Sequence, residues 1–225
     1  MPEFEVNGVR LVLPQAMATP KIVRKLEAGK YEGFEARAAA MRVRPGHRVL
    51  ELGGGMGYVG SVCAGITGGA NLVTVEANPD MVPVIRANLD RNGYEAATLI
   101  HGAVAGDDAA GDSIAFRRGK AFWGASLAEG GDGGDVVEVP VLRISDLLSA
   151  HRPNVVIMDI EGAERHLFAA PWPRHVRFVM MELHPSRYPD TVIRDIFDCM
   201  SASGLAYDPR ASSGGVVGFR RVRGK

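Results

Sequence analysis

The sequence is short of the features that mark several protein classes. Cys63 and Cys199 are the only cysteines in 225 residues. Two cysteines build no disulfide framework, so a reducing compartment, the cytoplasm, is expected. Net charge is also missing, with Lys plus Arg and Asp plus Glu each totalling 26. That removes any general electrostatic pull toward nucleic acid or an anionic membrane. No apolar run approaches the roughly 20 residues that span a bilayer. The opening Met1-Pro2-Glu3-Phe4-Glu5 does not read as a signal peptide. Repeats are absent, and low complexity is confined to the Gly/Asp-rich stretch from Glu129 to Asp135. The length suits one decorated α/β domain with its own core.

What is present centres on Val49-Leu50-Glu51-Leu52-Gly53-Gly54-Gly55-Met56-Gly57. An apolar run entering a glycine-rich turn predicts a buried parallel strand, then a helix over about Tyr58 to Ile66. That helix would turn its first N–H groups toward a ligand. The next strand, Leu72-Val73-Thr74-Val75-Glu76, ends in an acid placed to hold ribose hydroxyls. Gly55-x-Gly57-x-x-Gly60 matches the dinucleotide fingerprint, so a nicotinamide or flavin enzyme is one candidate. Glu51 weighs against it. A carboxylate at the first strand's end would repel a pyrophosphate, whereas it suits a cationic head such as the amino acid part of S-adenosylmethionine. The plainer alternative is that Glu51 caps a turn.

Around this centre the chain reads as alternating strands and helices. Val6 to Pro14 predicts a hairpin turning at Asn7-Gly8. Thr19-Pro20 predicts a capped helix start, and a second helix is expected over Phe34 to Met41. Residues 1–45 thus form an amino-terminal cap, and 46–225 the main domain. Strands at 48–52, 72–76 and 97–102 with a helix over 79–92 predict right-handed parallel crossovers. Residues of about 110–143 read as an inserted hairpin with a glycine-rich tip. Ser145 is expected to cap a helix reaching His151, and Gly162 to Ala169 to begin another. Apolar strands at Asn154–Ile160 and Val176–Leu183, a helix over Asp190–Ser203 and an antiparallel pair, 205–208 with 216–222, complete the chain.

Three motifs, Leu50-Glu51-Leu52-Gly53-Gly54-Gly55-Met56-Gly57, Val75-Glu76-Ala77-Asn78-Pro79 and Met158-Asp159-Ile160-Glu161-Gly162-Ala163-Glu164, resemble those of FkbM-type S-adenosylmethionine-dependent methyltransferases. So does the early Gly29-Lys30-Tyr31-Glu32-Gly33-Phe34-Glu35. The resemblance implies the class I methyltransferase fold, Rossmann-like: seven strands, mostly parallel, the last antiparallel, helices on both faces. It implies methyl transfer from S-adenosylmethionine, mostly to hydroxyl groups of sugars and natural products and sometimes to nitrogen. Carried over, Glu51, Gly53, Gly55 and Gly57, with Tyr31, would line the methionine part of the donor. Glu76 would hold the ribose, and Ala103 would lie near the adenine. Many relatives carry Gly-Ala-x-x-Gly where this chain has Gly-Gly-Gly-Met-Gly.

A hydroxyl acceptor gains from a base that takes its proton. Asp159, Glu161, Glu182 and His184 are the candidates, with His184 closest to neutrality in its ordinary pKa. A site without metal is the expectation; Asp159, Glu182 and His184 are the alternative ligands of a divalent ion. Glu164 reads as a charge favoured at a helix start. Phe122 and Trp123 read as cover for core, and Arg117, Arg118 and Lys120 as a solvated edge. The expected partner is a small-molecule acceptor, with no nucleic acid and no membrane; a homodimer is left open. The rivals are a nicotinamide oxidoreductase, a nucleic-acid methyltransferase and a methyltransferase-like binding module without activity.

Overall fold

The structure is a computed structural model and describes residues 2–118, 126–127 and 135–222. Residues 128–134 of the glycine-rich tip, Phe122, Trp123 and Lys120 lie outside the described residues.

Strands β1 (Glu3–Val6) and β2 (Val9–Val12) pair antiparallel around Asn7-Gly8. Both turn residues have positive φ, as a tight hairpin turn of this hand requires. Helix α1 (Pro20–Glu27) starts as its sequence predicts, with the Thr19 hydroxyl accepting from the Ile22 N–H at 3.4 Å. Helix α2 (Gly33–Arg42) leads into β3 (Val49–Leu52). Then follow α3 (Tyr58–Thr67), β4 (Leu72–Glu76), α4 (Val82–Arg91) and β5 (Thr98–His101).

The chain next builds a second sheet from β6 (Ala103–Ala105), β7 (Ser113–Arg118), β8 (Ser126–Leu127) and β9 (Asp135–Arg143). Their order is β6-β9-β7-β8. Helix α5 (Ile144–His151) returns to the main sheet at β10 (Val155–Met158) and β11 (Phe178–Glu182). Helix α6 (Asp190–Ala202), β12 (Leu205–Tyr207) and β13 (Val216–Arg221) end the fold.

The main sheet has seven strands in the order β12-β13-β11-β10-β3-β4-β5. Its β10, β11, β3, β4 and β5 pair parallel, and β13 runs antiparallel to both neighbours. Successive strand residues feed opposite faces, as the period of two dictates. Val49, Leu72, Val155, Ile157 and Met180 pack under α1 to α4. Leu50, Leu52, Val75, Val156, Met158 and Met181 pack under α5 and α6. Cys63 lies in the first core and Cys199 in the second, both as free thiols.

Two local expectations are corrected. Ser145 does not cap α5: Arg143 stands at the cap position, and the Ser145 N–H is held by Asp107. The segment after Gly162 forms a single 3-10 turn, Ala163–His166, rather than an α-helix. Positive φ at Glu161 and Gly162 sets it off the helical path, and Pro171 leaves no room to extend it.

Among the described residues no helix is long and apolar enough to cross a membrane.

Candidate active site

A cleft opens at the carboxyl ends of β3, β4, β10 and β11, where the topology of open α/β sheets places ligands. It encloses about 1070 Å³, counting space open to solvent. Its wall holds Tyr31, Gly53, Gly55 and Ala103 and seven carboxyls: Glu32, Glu35, Glu51, Glu76, Asp159, Glu161 and Glu182. Among the described residues no Lys, Arg or His lines it.

The glycine turn brings the backbone to this cleft. Gly53 has φ +84°, and an added Cβ would lie 1.8 Å from the Asp159 carbonyl oxygen. Gly55, φ +55°, presents a face where a Cβ would come within 3.2 Å of a Glu32 carboxyl oxygen and 3.5 Å of the Tyr31 hydroxyl. Gly57 departs from expectation. It faces Ile85 rather than the cleft, and its left-handed backbone opens α3.

Glu51 is 2 % exposed. Its Oε2 accepts from the Thr74 hydroxyl at 2.7 Å and lies against Gly60 in the first turn of α3. Burial raises its pKa to about 8, against the hydrogen bonds from Thr74 and Gly60 and with the charge of Glu76. It therefore both braces the turn and lines the cleft. Glu76 is also buried, and burial pushes its pKa up. Its Oε1 accepts from the Asn78 N–H at 2.7 Å and its Oε2 from the Gly55 N–H at 3.2 Å. Those contacts, with further backbone N–H groups of Gly54 and Ala77, aim the carboxylate along the turn.

The other end of the cleft is the turn after β10 and the end of β11. His184 Nδ1 lies 3.0 Å from Glu164 Oε1, which also accepts from the Tyr188 hydroxyl at 2.7 Å. Glu164 Oε2 accepts from the Gly162 N–H at 2.8 Å, and the His184 N–H donates to the Tyr188 hydroxyl. Glu164 is fully buried; it sits in the first turn of the 3-10 helix and accepts from the N-cap Gly162 N–H, as a helix-start charge does, and adds the contacts to His184 and Tyr188. His184 Nε2 faces Asp159 Oδ1 at 3.6 Å and Glu161 Oε2 at 3.5 Å. Glu161 is held in this place by a left-handed backbone, φ +53°. His184 itself does not line the cleft; Asp159, Glu161 and Glu182 do. Direct proton removal from an acceptor by His184 is thus geometrically indirect.

Burial pushes Asp159 up to about 7, reinforced by Glu182 and Glu161. Burial opposes the charge on His184, but the hydrogen bond to Glu164 and the charges of Glu164, Asp159 and Glu161 raise it to about 9. Burial raises Glu161 and Glu182 as well. Asp159, Glu182 and His184 each offer a ligand atom within 4.8 Å of the others.

Three residues at or beside the cleft have no assigned role in the sequence reading. Phe116 comes from β7 of the second sheet and lines the cleft with Ala103. Glu35, the last residue of the Gly29–Glu35 motif, reaches the cleft from the first turn of α2, though the motif assigns it no task. Tyr188 meets Glu164 across 24 residues of sequence.

This is the cleft of a class I methyltransferase fold, and the chain belongs to the methyltransferase FkbM domain family, whose model matches residues 57–206. The donor of that family is S-adenosylmethionine. The chain is 37% identical over 62 residues to a protein-L-isoaspartate O-methyltransferase of Methanococcoides burtonii, covering 27% of this chain and 30% of that protein. It is 43% identical over 61 residues to protein-L-isoaspartate O-methyltransferase 1 of Archaeoglobus fulgidus, covering 27% and 28%. Those matches span less than a third of either relative. The fold is similar to that of a precorrin-6y C5,15-methyltransferase of Geobacter metallireducens, with TM-score 0.53, 12% identity and 94% of each chain covered.

Proposed function

We propose that the protein methylates a hydroxyl of a small molecule, a sugar or other natural product, using S-adenosylmethionine. The observation that carries the reading is the cleft's charge. Seven carboxyls and no cationic side chain line it among the described residues. Burial raises these carboxyls, so they ionise most readily beside a cation; a sulfonium and an ammonium meet that need, whereas a pyrophosphate finds no positive side chain to hold it. The nicotinamide alternative loses ground on that account.

Bound there, the donor supplies an electrophilic methyl carbon for in-line attack. Glu76, fixed by the Asn78 and Gly55 N–H groups, would take the ribose hydroxyls. Gly53, Gly55, Tyr31 and Glu51 would hold the methionine part, and Ala103 with Phe116 the adenine. At the far end the carboxylates of Asp159, Glu161 and Glu182 orient the acceptor hydroxyl and receive its proton. His184 supports them from behind, itself fixed by Glu164. Positioning contributes much of the rate in such a reaction, because it turns an encounter into a held geometry.

We read residues 1–45 as the cap and 46–225 as the donor-binding domain, with the insert at about 110–143. Two free thiols buried in separate cores suit a reducing compartment, so we place the protein in the cytoplasm.

The same acidity favours a second reading, an amine acceptor held as its cation and methylated on nitrogen. The experiment is a panel of hydroxylated and amino acceptors incubated with methyl-labelled donor. Label in a methyl ether supports the oxygen reading. Label confined to amines moves the acceptor to nitrogen. Donor bound tightly with no label transferred to any acceptor points to a binding module.

A further inference from the structure

We infer that Asp159, Glu182 and the Nε2 of His184 form a binding site for one divalent cation of the Mn²⁺ or Mg²⁺ type, at the acceptor end of the cleft. The inference deepens the proposed oxygen methylation and rests on it for its chemical purpose.

Three separate features converge on these atoms. The first is reach. One oxygen from each carboxylate and one imidazole nitrogen lie within 4.8 Å of one another. An ion that keeps its ligands at about 2.0–2.2 Å holds them no more than about 4.4 Å apart, so a few tenths of an ångström of side-chain adjustment draws the three onto one ion. The second is an unused acceptor. Asp159 Oδ1 has no hydrogen-bond partner and almost no solvent contact, and it faces His184 Nε2 at 3.6 Å. A buried carboxylate oxygen without a donor is costly; a protonated His184 meets the need as an ion pair, and a divalent ion meets it when Nε2 serves as a ligand.

The third is what stands behind the histidine. A metal-ligating imidazole usually gives its other N–H to a carboxylate, which fixes the ring and raises its basicity. Here Nδ1 meets Glu164 Oε1 at 3.0 Å. Glu164 is fully buried and is itself held by Tyr188 and by the Gly162 N–H. The support is more elaborate than a surface ion pair needs, and it directs Nε2 toward Asp159 and Glu161.

Two carboxylates and one imidazole suit a hard to borderline ion, with the remaining positions free for water or substrate oxygen. The chemistry follows. An acceptor hydroxyl bound to such an ion becomes more acidic, as metal-bound water does. Glu161 Oε2, 3.5 Å from His184 Nε2 but outside the ligand trio, is placed to receive the released proton. A vicinal diol, which offers two oxygens to one ion, is the acceptor class that fits best. In this arrangement His184 acts as a ligand and not as the base.

The test is titration of the 225-residue chain with Mn²⁺, followed by the loss of the free-ion EPR signal, with and without S-adenosylhomocysteine. One Mn²⁺ per chain is expected, displaced by excess Mg²⁺. Asp159→Asn, Glu182→Gln and His184→Ala should each abolish binding or weaken it by more than about tenfold, and Glu164→Gln should weaken it about 10–100-fold. Glu161→Gln should keep it. Absence of bound Mn²⁺ at about 1 mM, far above the affinity of a working site, overturns the inference and leaves a protonated His184 as the charge that balances the carboxylates. So does binding that survives both Asp159→Asn and His184→Ala. Calorimetry of S-adenosylhomocysteine with the same variants reads the donor site independently. Loss of donor binding in the wild-type protein would strike the function, whereas loss of Mn²⁺ alone strikes only the ion site.

Discussion

The backbone carbonyl of Asp159 occupies the space where a side chain on Gly53 would begin. The separation would be 1.8 Å, well inside any tolerable contact. The glycine turn after β3 and the acidic turn after β10 are therefore fitted together by backbone. This contact joins the donor end of the cleft to the acceptor end.

Gly53→Ala should accordingly be among the most damaging single changes. The φ of +84° penalises any side chain, and the Asp159 carbonyl cannot yield without moving β10. Expected is a fall in thermal midpoint of well over about 4 °C, or failure to accumulate folded protein. Gly46→Ala, where φ is also positive but nothing lies within 4 Å, should cost much less. Thermal unfolding of the two variants side by side measures the difference.

Glu76→Ala should weaken donor binding by at least about tenfold, since a charge-assisted hydrogen bond contributes about 1.5–3 kcal/mol. Calorimetry with S-adenosylhomocysteine on the folded variant checks it, and unchanged affinity would remove Glu76 from the ribose. Nicotinamide dinucleotides should not compete.

Phe116→Ala should weaken donor binding without large loss of stability. Its ring reaches the cleft from the second sheet, beside Ala103. A loss of about three- to tenfold is expected for a stacking aromatic contact. Full affinity in this variant would show that the insert does not take part in holding the donor.

His184→Ala should lower turnover by about 10–100-fold while S-adenosylhomocysteine affinity holds, as loss of a group that orients the reacting carboxylates does. The imidazole touches Asp159, Glu161 and Glu164 and lies outside the cleft wall. A variant with full activity at neutral pH would detach the cluster from the chemistry.

Glu51 supplies a pH test that is independent of the acceptor end. Its folded pKa is raised from 4.5 to about 8, with burial as the main cause. The fold thus prefers the protonated carboxyl. Its contribution to stability is full below the unfolded pKa of 4.5 and is lost as pH rises through about 8. Glu51→Gln keeps an acceptor for the Thr74 hydroxyl and cannot ionise. Between pH 5 and 8.5 the wild-type protein without donor should lose more thermal stability than Glu51→Gln. Parallel curves for the two proteins would contradict the raised pKa.

The fold was largely legible because its signals are local. Asn7-Gly8 sets a hairpin turn, Thr19-Pro20 starts a helix, and the apolar run into Gly53 defines the central strand. Where the reading erred, a distant partner decided. Ser145 looks like a cap, but Asp107 takes its N–H. The stretch after Gly162 has helical composition, yet left-handed backbone at Glu161 and Gly162 limits it to one 3-10 turn. Glu164 does sit at a helix start, but its contacts with His184 and Tyr188, 20 and 24 residues away, have no signal in the sequence. The donor side of the cleft follows a sequence motif. The acceptor side depends on strand neighbours that no spacing announces.

Asn88 makes one further link. From α4 it accepts from the Val12 N–H at 2.7 Å and donates to the carbonyls of Val12 at 3.0 Å and Met56 at 2.9 Å. One buried amide thus ties the amino-terminal hairpin to the glycine turn. The two cannot open separately without stranding its polar atoms in the core. The hairpin and the turn form one cooperative unit, and their amides should exchange with solvent in a single opening event. Anything that loosens the first dozen residues will be felt in the grip on the donor, some 40 residues later in the chain.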